Sequence, residues 1–274
     1  MLRRALAGAA VLTVVVIALP RAQQAPAPAP APAPAAAQGG PGSKIWIGHE
    51  AEYEEFLRTA KIAKSSEIKV GVTHPHHCYF ESGGLVAGAV FKPLQPGRLS
   101  GYFESYRSEI AAYEMDKILG LGMVPPTVER KYSGQTGSLQ LWVENVVYMR
   151  DRDPSKAPDA VAWNRQVYRW RVWDNLIANI DRNQGNLLLD PAWNLILIDH
   201  SRAFTNDQKM PFAMIKIDRE FYRRLKTLNE PMLKEKLGNL LFDGPKPLLE
   251  RRDKIIQHFD ELVAKYGEAG VFIQ

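Results

Sequence analysis

Asp181-Arg-Asn-Gln-Gly-Asn186 leads straight into Leu187-Leu-Leu189, and after a short turn the chain continues as Leu195-Ile-Leu-Ile-Asp199. Phosphoryl transfer needs a carboxylate beside the attacking hydroxyl and oxygen ligands for Mg²⁺ beside the phosphates. Asp181 suits the first role, and Asn186 and Asp199 suit the second. Mg²⁺ prefers hard oxygens in octahedral geometry and usually takes only one or two from protein. The apolar runs predict two short strands around a turn at Asp190-Pro-Ala-Trp-Asn194. A hairpin of that kind carries Asn186 and Asp199 to one end. The plain structural alternative is a polar loop after a helix, with Gly185 at positive φ and Asp199 as a cap.

Upstream, His49 to Ala63 reads as a helix, with Tyr53, Phe56, Leu57 and Ala60 at three- and four-residue spacing. Ile68 to Thr73, Cys78 to Glu81 and Leu85 to Phe91 read as strands. The third strand ends in Phe91-Lys92-Pro93. A lysine leaving an apolar strand is ordinarily a surface residue with a buried stem. Here a helix over Tyr106 to Leu119 follows, with Glu109 in its first turns. A lysine that grips phosphate needs a carboxylate to hold its flexible stem, and Glu109 is the natural candidate, with Glu104 and Glu114 as rivals. Gly120 and Gly122 end the helix, and Pro125-Pro126 prevents its resumption.

Thr127 to Tyr132 and Ser138 to Val147 predict a hairpin around Gly134-Gln-Thr-Gly137. Val161 to Ile180 predicts a long helix whose Trp170 and Trp173 belong to the core. Three further helices are expected at 218–228, 230–240 and 246–266. His74, His76, His77 and Cys78 crowd together, yet alternation along a strand keeps them from facing one ion, so a polar loop is the expectation.

The first 44 residues stand apart. Met1-Leu-Arg-Arg precedes an uncharged apolar run from Ala5 to Leu19, which has the layout of a signal peptide. Pro20 disfavours cleavage after Ala22, so residues 1–22 are expected to be either a signal peptide or an uncleaved N-terminal anchor. Residues 23–44 are expected to form a Pro/Ala-rich linker of semi-rigid, extended character. Arg3, Arg4, Arg21 and Lys44 supply most of the net charge of +5. The remaining 230 residues carry 31 basic and 30 acidic side chains, which argues against a nucleic-acid surface. Cys78 is the single cysteine, so no intrachain disulfide forms.

Taken in order, these pieces resemble an atypical protein/lipid-kinase fold, the group that holds phosphoinositide 3- and 4-kinases, HipA-type toxin kinases and secreted-pathway kinases. Ala89-Val-Phe-Lys92 looks like the phosphate-binding lysine strand. Ser108-Glu109-Ile-Ala-Ala-Tyr113 looks like the glutamate helix. Gly137-Ser-Leu-Gln140 resembles the approach to an adenine-contacting hinge. Asp181-Arg182 with Asn186, then Ile198-Asp199, resembles the catalytic and metal-binding segments. The resemblance spans residues 66 to 205. It departs where Asn183 stands in place of the His that follows Asp-Arg in phosphoinositide kinases, and where His200-Ser201 stands in place of Phe-Gly. No Gly-x-Gly-x-x-Gly loop is present, and Val70-Gly71-Val72-Thr73 is its single-glycine substitute, able to lay backbone N–H groups near phosphate.

The resemblance implies an α+β, two-lobed protein-kinase-like domain, with an antiparallel-sheet N-lobe over 45–150 and a mainly helical C-lobe over 151–274. It implies an ATP- and Mg²⁺-dependent phosphotransferase acting on a hydroxyl of an unidentified protein, lipid or small-molecule acceptor. Lys92 would hold the α/β-phosphates, Glu109 would position Lys92, and Gly71 and Thr73 would line the nucleotide. Asp181 would orient the acceptor, and Arg182 would either neutralise developing charge or fix the loop. Two other readings stay open: an exported non-catalytic nucleotide- or protein-binding module on the same scaffold, and a tethered interaction protein without a nucleotide site. The N-terminal segment implies export to the periplasm or beyond, with a membrane tether if it is uncleaved.

Overall fold

The computed structural model describes residues 43–69, 74–99 and 101–273. Helix α1 (Glu50–Thr59) comes first, followed by strands β1 (Ile62–Glu67), β2 (His76–Phe80), β3 (Gly88–Lys92), β4 (Gly97–Leu99) and β5 (Tyr102–Glu104), then helix α2 (Tyr106–Leu119). The chain continues through β6 (Thr127–Tyr132), β7 (Gln135–Leu141), β8 (Val147–Tyr148), α3 (Ala160–Leu176), β9 (Leu187–Leu189) and β10 (Leu195–Leu197). Helices α4 (Arg219–Thr227), α5 (Glu230–Leu237) and α6 (Lys246–Tyr266) dominate the remainder. An antiparallel sheet with two helices thus precedes a mainly helical half, which is the expected two-lobed α+β class.

The main sheet runs β1-β2-β3-β7-β6, and every ladder in it is antiparallel. Alternation gives it two working faces. Cys78, Phe80, Ala89, Phe91, Val128, Leu139 and Leu141 join Tyr53 and Leu57 of α1 in one apolar cluster. His77, Val90, Lys92, Ser138 and Gln140 occupy the opposite face, and Val90 stands opposite both His77 and Gln140. That second face meets α2, where Tyr106 donates its hydroxyl hydrogen to Glu129 of β6 across 2.8 Å.

Helix α2 is almost wholly buried, so its placement is set by polar ties as well as packing. Ser105 caps its start by accepting from Arg107 N at 3.0 Å, and Gly120 ends it in the left-handed conformation at φ 60°. Ser108 Oγ donates to the Ala203 carbonyl at 3.1 Å, joining the helix to the segment after Asp199. In the helical half, the fully buried Arg251 of α6 donates to the carbonyls of Leu176, Thr205 and Asp207. One guanidinium therefore ties α6 to the end of α3 and to the chain beyond the hairpin. Trp163, Trp170 and Trp173 all lie in the core of that half.

Several expectations need correction. The first helix stops at Thr59, not Ala63, and β1 begins at Ile62. β1 is an edge strand with five exposed residues in six, so it carries no buried face and no period-two signal to compete with the helical periodicity before it. His76 and His77 belong to β2 and not to a loop, with Cys78 turned into the core. The strand expected over Ile68 to Thr73 lies largely outside the described residues, and the two described positions at its start are not in a strand.

Candidate active site

The β9–β10 hairpin pairs Leu187 with Leu197 and Leu189 with Leu195. Ile198 N donates to the Asn186 carbonyl at 3.2 Å, so Asn186 and Asp199 emerge at the same end. Asp199 sits at φ 60°, which reverses the chain and leaves its carboxylate 41% exposed. Gly185 is not at positive φ; the left-handed residues from Ala178 to Phe204 are Ala178, Trp193, Asp199 and Phe204. A non-glycine residue held in that region is costly, and it recurs at functional sites.

Lys92 crosses from the sheet to both partners. Its Nζ lies 2.5 Å from Glu109 Oε1 and 3.1 Å from Asp199 Oδ1. The Lys92 side chain is 14% exposed and that of Glu109 1%. Burial alone would push the ammonium towards neutrality, but the carboxylates of Asp199 and Glu109 outweigh it and hold Lys92 firmly protonated. Burial likewise opposes the charge on Glu109, and Lys92 together with His200 overcomes it, keeping the carboxyl well below the ordinary range. Glu109 is thus the lysine's partner. Glu104 lies before the helix at the end of β5, and Glu114 pairs with Lys117 at 3.0 Å.

Arg182 faces inward and is 1% exposed. Its Nε and Nη2 grip both oxygens of the buried Asp174 at 2.8 and 3.0 Å. Nη1 donates to the carbonyls of Asn186 and Ile198 at 2.8 and 2.7 Å, and Nη2 meets His200 Nε2 at 2.9 Å. Of its two expected roles, these contacts serve the fixing of the loop. His200 has no exposure, and its backbone N–H donates to Glu109 Oε2 at 2.9 Å. Arginine has no acceptor, so His200 Nε2 must accept and its proton rests on Nδ1, 3.7 Å from Glu109 Oε2. A buried series therefore runs Asp174, Arg182, His200, Glu109, Lys92.

Asp181 lies on the open side, 46% exposed. Its Oδ2 accepts from Arg202 Nη1 at 2.9 Å, and Arg202 Nε donates to Glu104 Oε1 at 2.5 Å. The structure brings Lys92, Glu109 and Asp199 into direct contact, and places Asn186 at the hairpin end with Asp199. Gly71 and Thr73 lie outside the described residues. Asp174, His200 and Arg202 were not singled out as site residues from sequence. The usable signal for Asp174 was a polar pair, Asp174-Asn175, inside a tryptophan-flanked buried helix.

Comparison with solved structures places the fold. A crystal structure of the Golgi casein kinase with Mn/ADP bound superposes with a TM-score of 0.61 at 17% identity, covering 83% of this chain and 79% of that one. Hydra Fam20 with sugar gives 0.60 at 16% identity, covering 82% and 92%. The fold is therefore kinase-like, of the atypical kind shared with these proteins. No family model matches the sequence, and no curated protein matches it.

Proposed function

We propose that this chain is an atypical kinase, an ATP- and Mg²⁺-dependent phosphotransferase that moves the γ-phosphate to a hydroxyl of a protein, lipid or small-molecule acceptor. The observation that supports it most is the meeting of two carboxylates from distant elements on one strand ammonium, Glu109 and Asp199 on Lys92. A structural ion pair needs one carboxylate. A second, half-open carboxylate beside the same lysine suits a phosphate and metal site.

Lys92 binds the α/β-phosphates, and Glu109 holds its stem against thermal wandering. Asp199 and Asn186 would hold Mg²⁺, since one carboxylate and one amide oxygen at a shared, solvent-accessible end fit an ion that keeps water and phosphate as its other ligands. The bound ion supplies charge neutralisation for the transferring phosphoryl group. Asp181 orients the acceptor hydroxyl and takes its proton as the acceptor oxygen joins phosphorus and the bond to the nucleoside diphosphate breaks. Arg182 keeps the loop in shape. Catalysis comes from positioning and fixed charge.

The Golgi casein kinase structure holds Mn and ADP, so Mn²⁺ is the second ion to test here. The apolar, uncharged stretch after Met1-Leu-Arg-Arg supports export. No helix among the described residues is long and apolar enough to cross a membrane.

Calorimetric titration of the purified protein with ATP, with and without Mg²⁺ or Mn²⁺, tests the assignment. Metal-dependent binding that Lys92→Ala and Asp199→Ala both weaken is the expected result. A well-folded wild-type protein that binds no nucleotide would refute it.

A further inference from the structure

Arg202 stands three residues beyond Asp199 and is held from several sides. Ser105 N donates to the Ser201 carbonyl at 2.9 Å, and Ser108 Oγ donates to the Ala203 carbonyl at 3.1 Å, so residues 201–203 are pinned to the start of α2. The guanidinium lies over the Tyr102 ring, 4.6 Å from its centroid. Its fork divides between two carboxylates that do not touch each other: Nε goes to Glu104 and Nη1 to Asp181. Glu104 is 1% exposed, and its Oε2 is buried without a partner among the described residues. A buried carboxylate compensated by a single cation anchors that cation firmly. Asp181, by contrast, is nearly half open and receives Arg202 on Oδ2 alone.

We infer that Arg202 is a positioning residue for Asp181. Anchored on Glu104, it fixes one oxygen of the Asp181 carboxylate and turns the other towards the acceptor hydroxyl. This rests on the phosphotransferase reading and adds to it the device that aims the base. It also moves the loop-proximal cationic role from Arg182, whose donors are all engaged inside, to Arg202 at the open side. Arg202 reaches the two carboxylates through two different nitrogens set in one rigid plane, Nε to Glu104 and Nη1 to Asp181, a geometry that a single ammonium nitrogen does not reproduce.

The test compares wild type, Arg202→Lys and the double variant Glu104→Gln/Arg202→Ala. The double variant removes both buried charges together and so keeps the fold from carrying an unpaired one. Steady-state hydrolysis of Mg-ATP, with water as the acceptor, is measured on the full chain. Both variants should lose about 10- to 100-fold in kcat with nucleotide KM within about twofold, and added guanidinium ion should restore part of the rate to the double variant. An unchanged kcat, or a loss confined to KM, overturns the inference. If wild type binds no nucleotide, the phosphotransferase reading fails by itself; if it binds nucleotide without hydrolysing it, water is not an acceptor for it and the rate comparison gives way to a stability measurement. A double-mutant cycle of Arg202→Lys with Asp181→Ala in urea unfolding then decides. Non-additivity of about fivefold or more in the unfolding constant supports the clasp, and additivity overturns it.

Discussion

Arg182 donates to His200 Nε2 across 2.9 Å, and this bond alone dictates which imidazole nitrogen carries the proton. With no exposure, His200 has its pKa lowered by burial and by the Arg182 charge beside it, against the pull of Glu109 and Asp174. The ring thus acts as a neutral acceptor. His200→Leu leaves a buried arginine donor unpaired and should cost about 1–3 kcal/mol in urea unfolding. His200→Gln can present an amide oxygen to Arg182 and should recover a large part of that loss. Equal destabilisation by both changes would show that the bond contributes nothing beyond packing.

The Lys92–Glu109 pair separates stability from function. Lys92→Met leaves the Glu109 carboxylate with the His200 backbone N–H but no cation at 2.5 Å, and should cost about 3–5 kcal/mol. Adding Glu109→Gln removes the stranded charge and should return most of the stability. Neither variant should bind nucleotide. Because Glu109 titrates far below its ordinary value of 4.5, the stability it confers is complete above that pH and fades as pH falls. The acid limb of unfolding should therefore flatten in the double variant.

The parts of this site that lie on regular elements were legible in the sequence. Lys92 closes a strand, Glu109 sits one turn into a capped helix, and Asn186 and Asp199 flank two apolar triplets, so short-range pattern locates all four. Arg202 and His200 were not legible as site residues, because their partners Glu104 and Glu109 lie 98 and 91 residues away and no local pattern marks the pairing. The same logic explains β1. Its exposed Lys64, Ser65 and Ser66 resemble a helix surface as much as a strand, and only the pairing with Tyr79, Cys78 and His77 distinguishes them.

Gly137 lies against the backbone of the lysine strand. A Cβ there would come within 2.4 Å of the Lys92 carbonyl oxygen and 2.8 Å of Pro93 Cα. Backbone atoms cannot swing aside, so Gly137→Ala should shift β3 away from β7 just where Lys92 leaves the sheet. The expected cost is about 1–3 kcal/mol of stability together with weaker nucleotide affinity. Gly134, in the turn of the same hairpin, faces open space but sits at φ 79°. Gly134→Ala should cost about 1–2 kcal/mol through backbone strain and leave affinity unchanged. Parallel unfolding and nucleotide titrations separate the two; equal affinities in both variants would break the link between Gly137 and Lys92.

Towards the end of α2, the buried Asp116 and the half-buried Lys44 set a pH dependence of their own. Asp116 accepts from Met123 N at 3.0 and 3.2 Å, and burial pushes its carboxyl up from 3.8 to about 7. Lys44 donates to the Gly122 carbonyl at 2.8 Å, and burial lowers its ammonium from 10.5 to about 8, with Asp116 and Asp190 opposing the fall. Between pH 3.8 and about 7 the folded protein holds a proton at Asp116 that the unfolded chain releases, so this group makes stability fall as pH rises. Between about pH 8 and 10.5 the unfolded chain holds the proton at Lys44 that the folded protein releases, so this group makes stability rise with pH. Their joint contribution has its minimum near pH 7–8. Asp116→Asn keeps an acceptor for Met123 N and should remove the lower limb, while Lys44→Met should remove the upper one. The measurement is the wild-type-minus-variant difference in unfolding free energy across pH 4 to 10 at constant ionic strength. A difference that does not change with pH would show that neither group titrates abnormally in the folded chain.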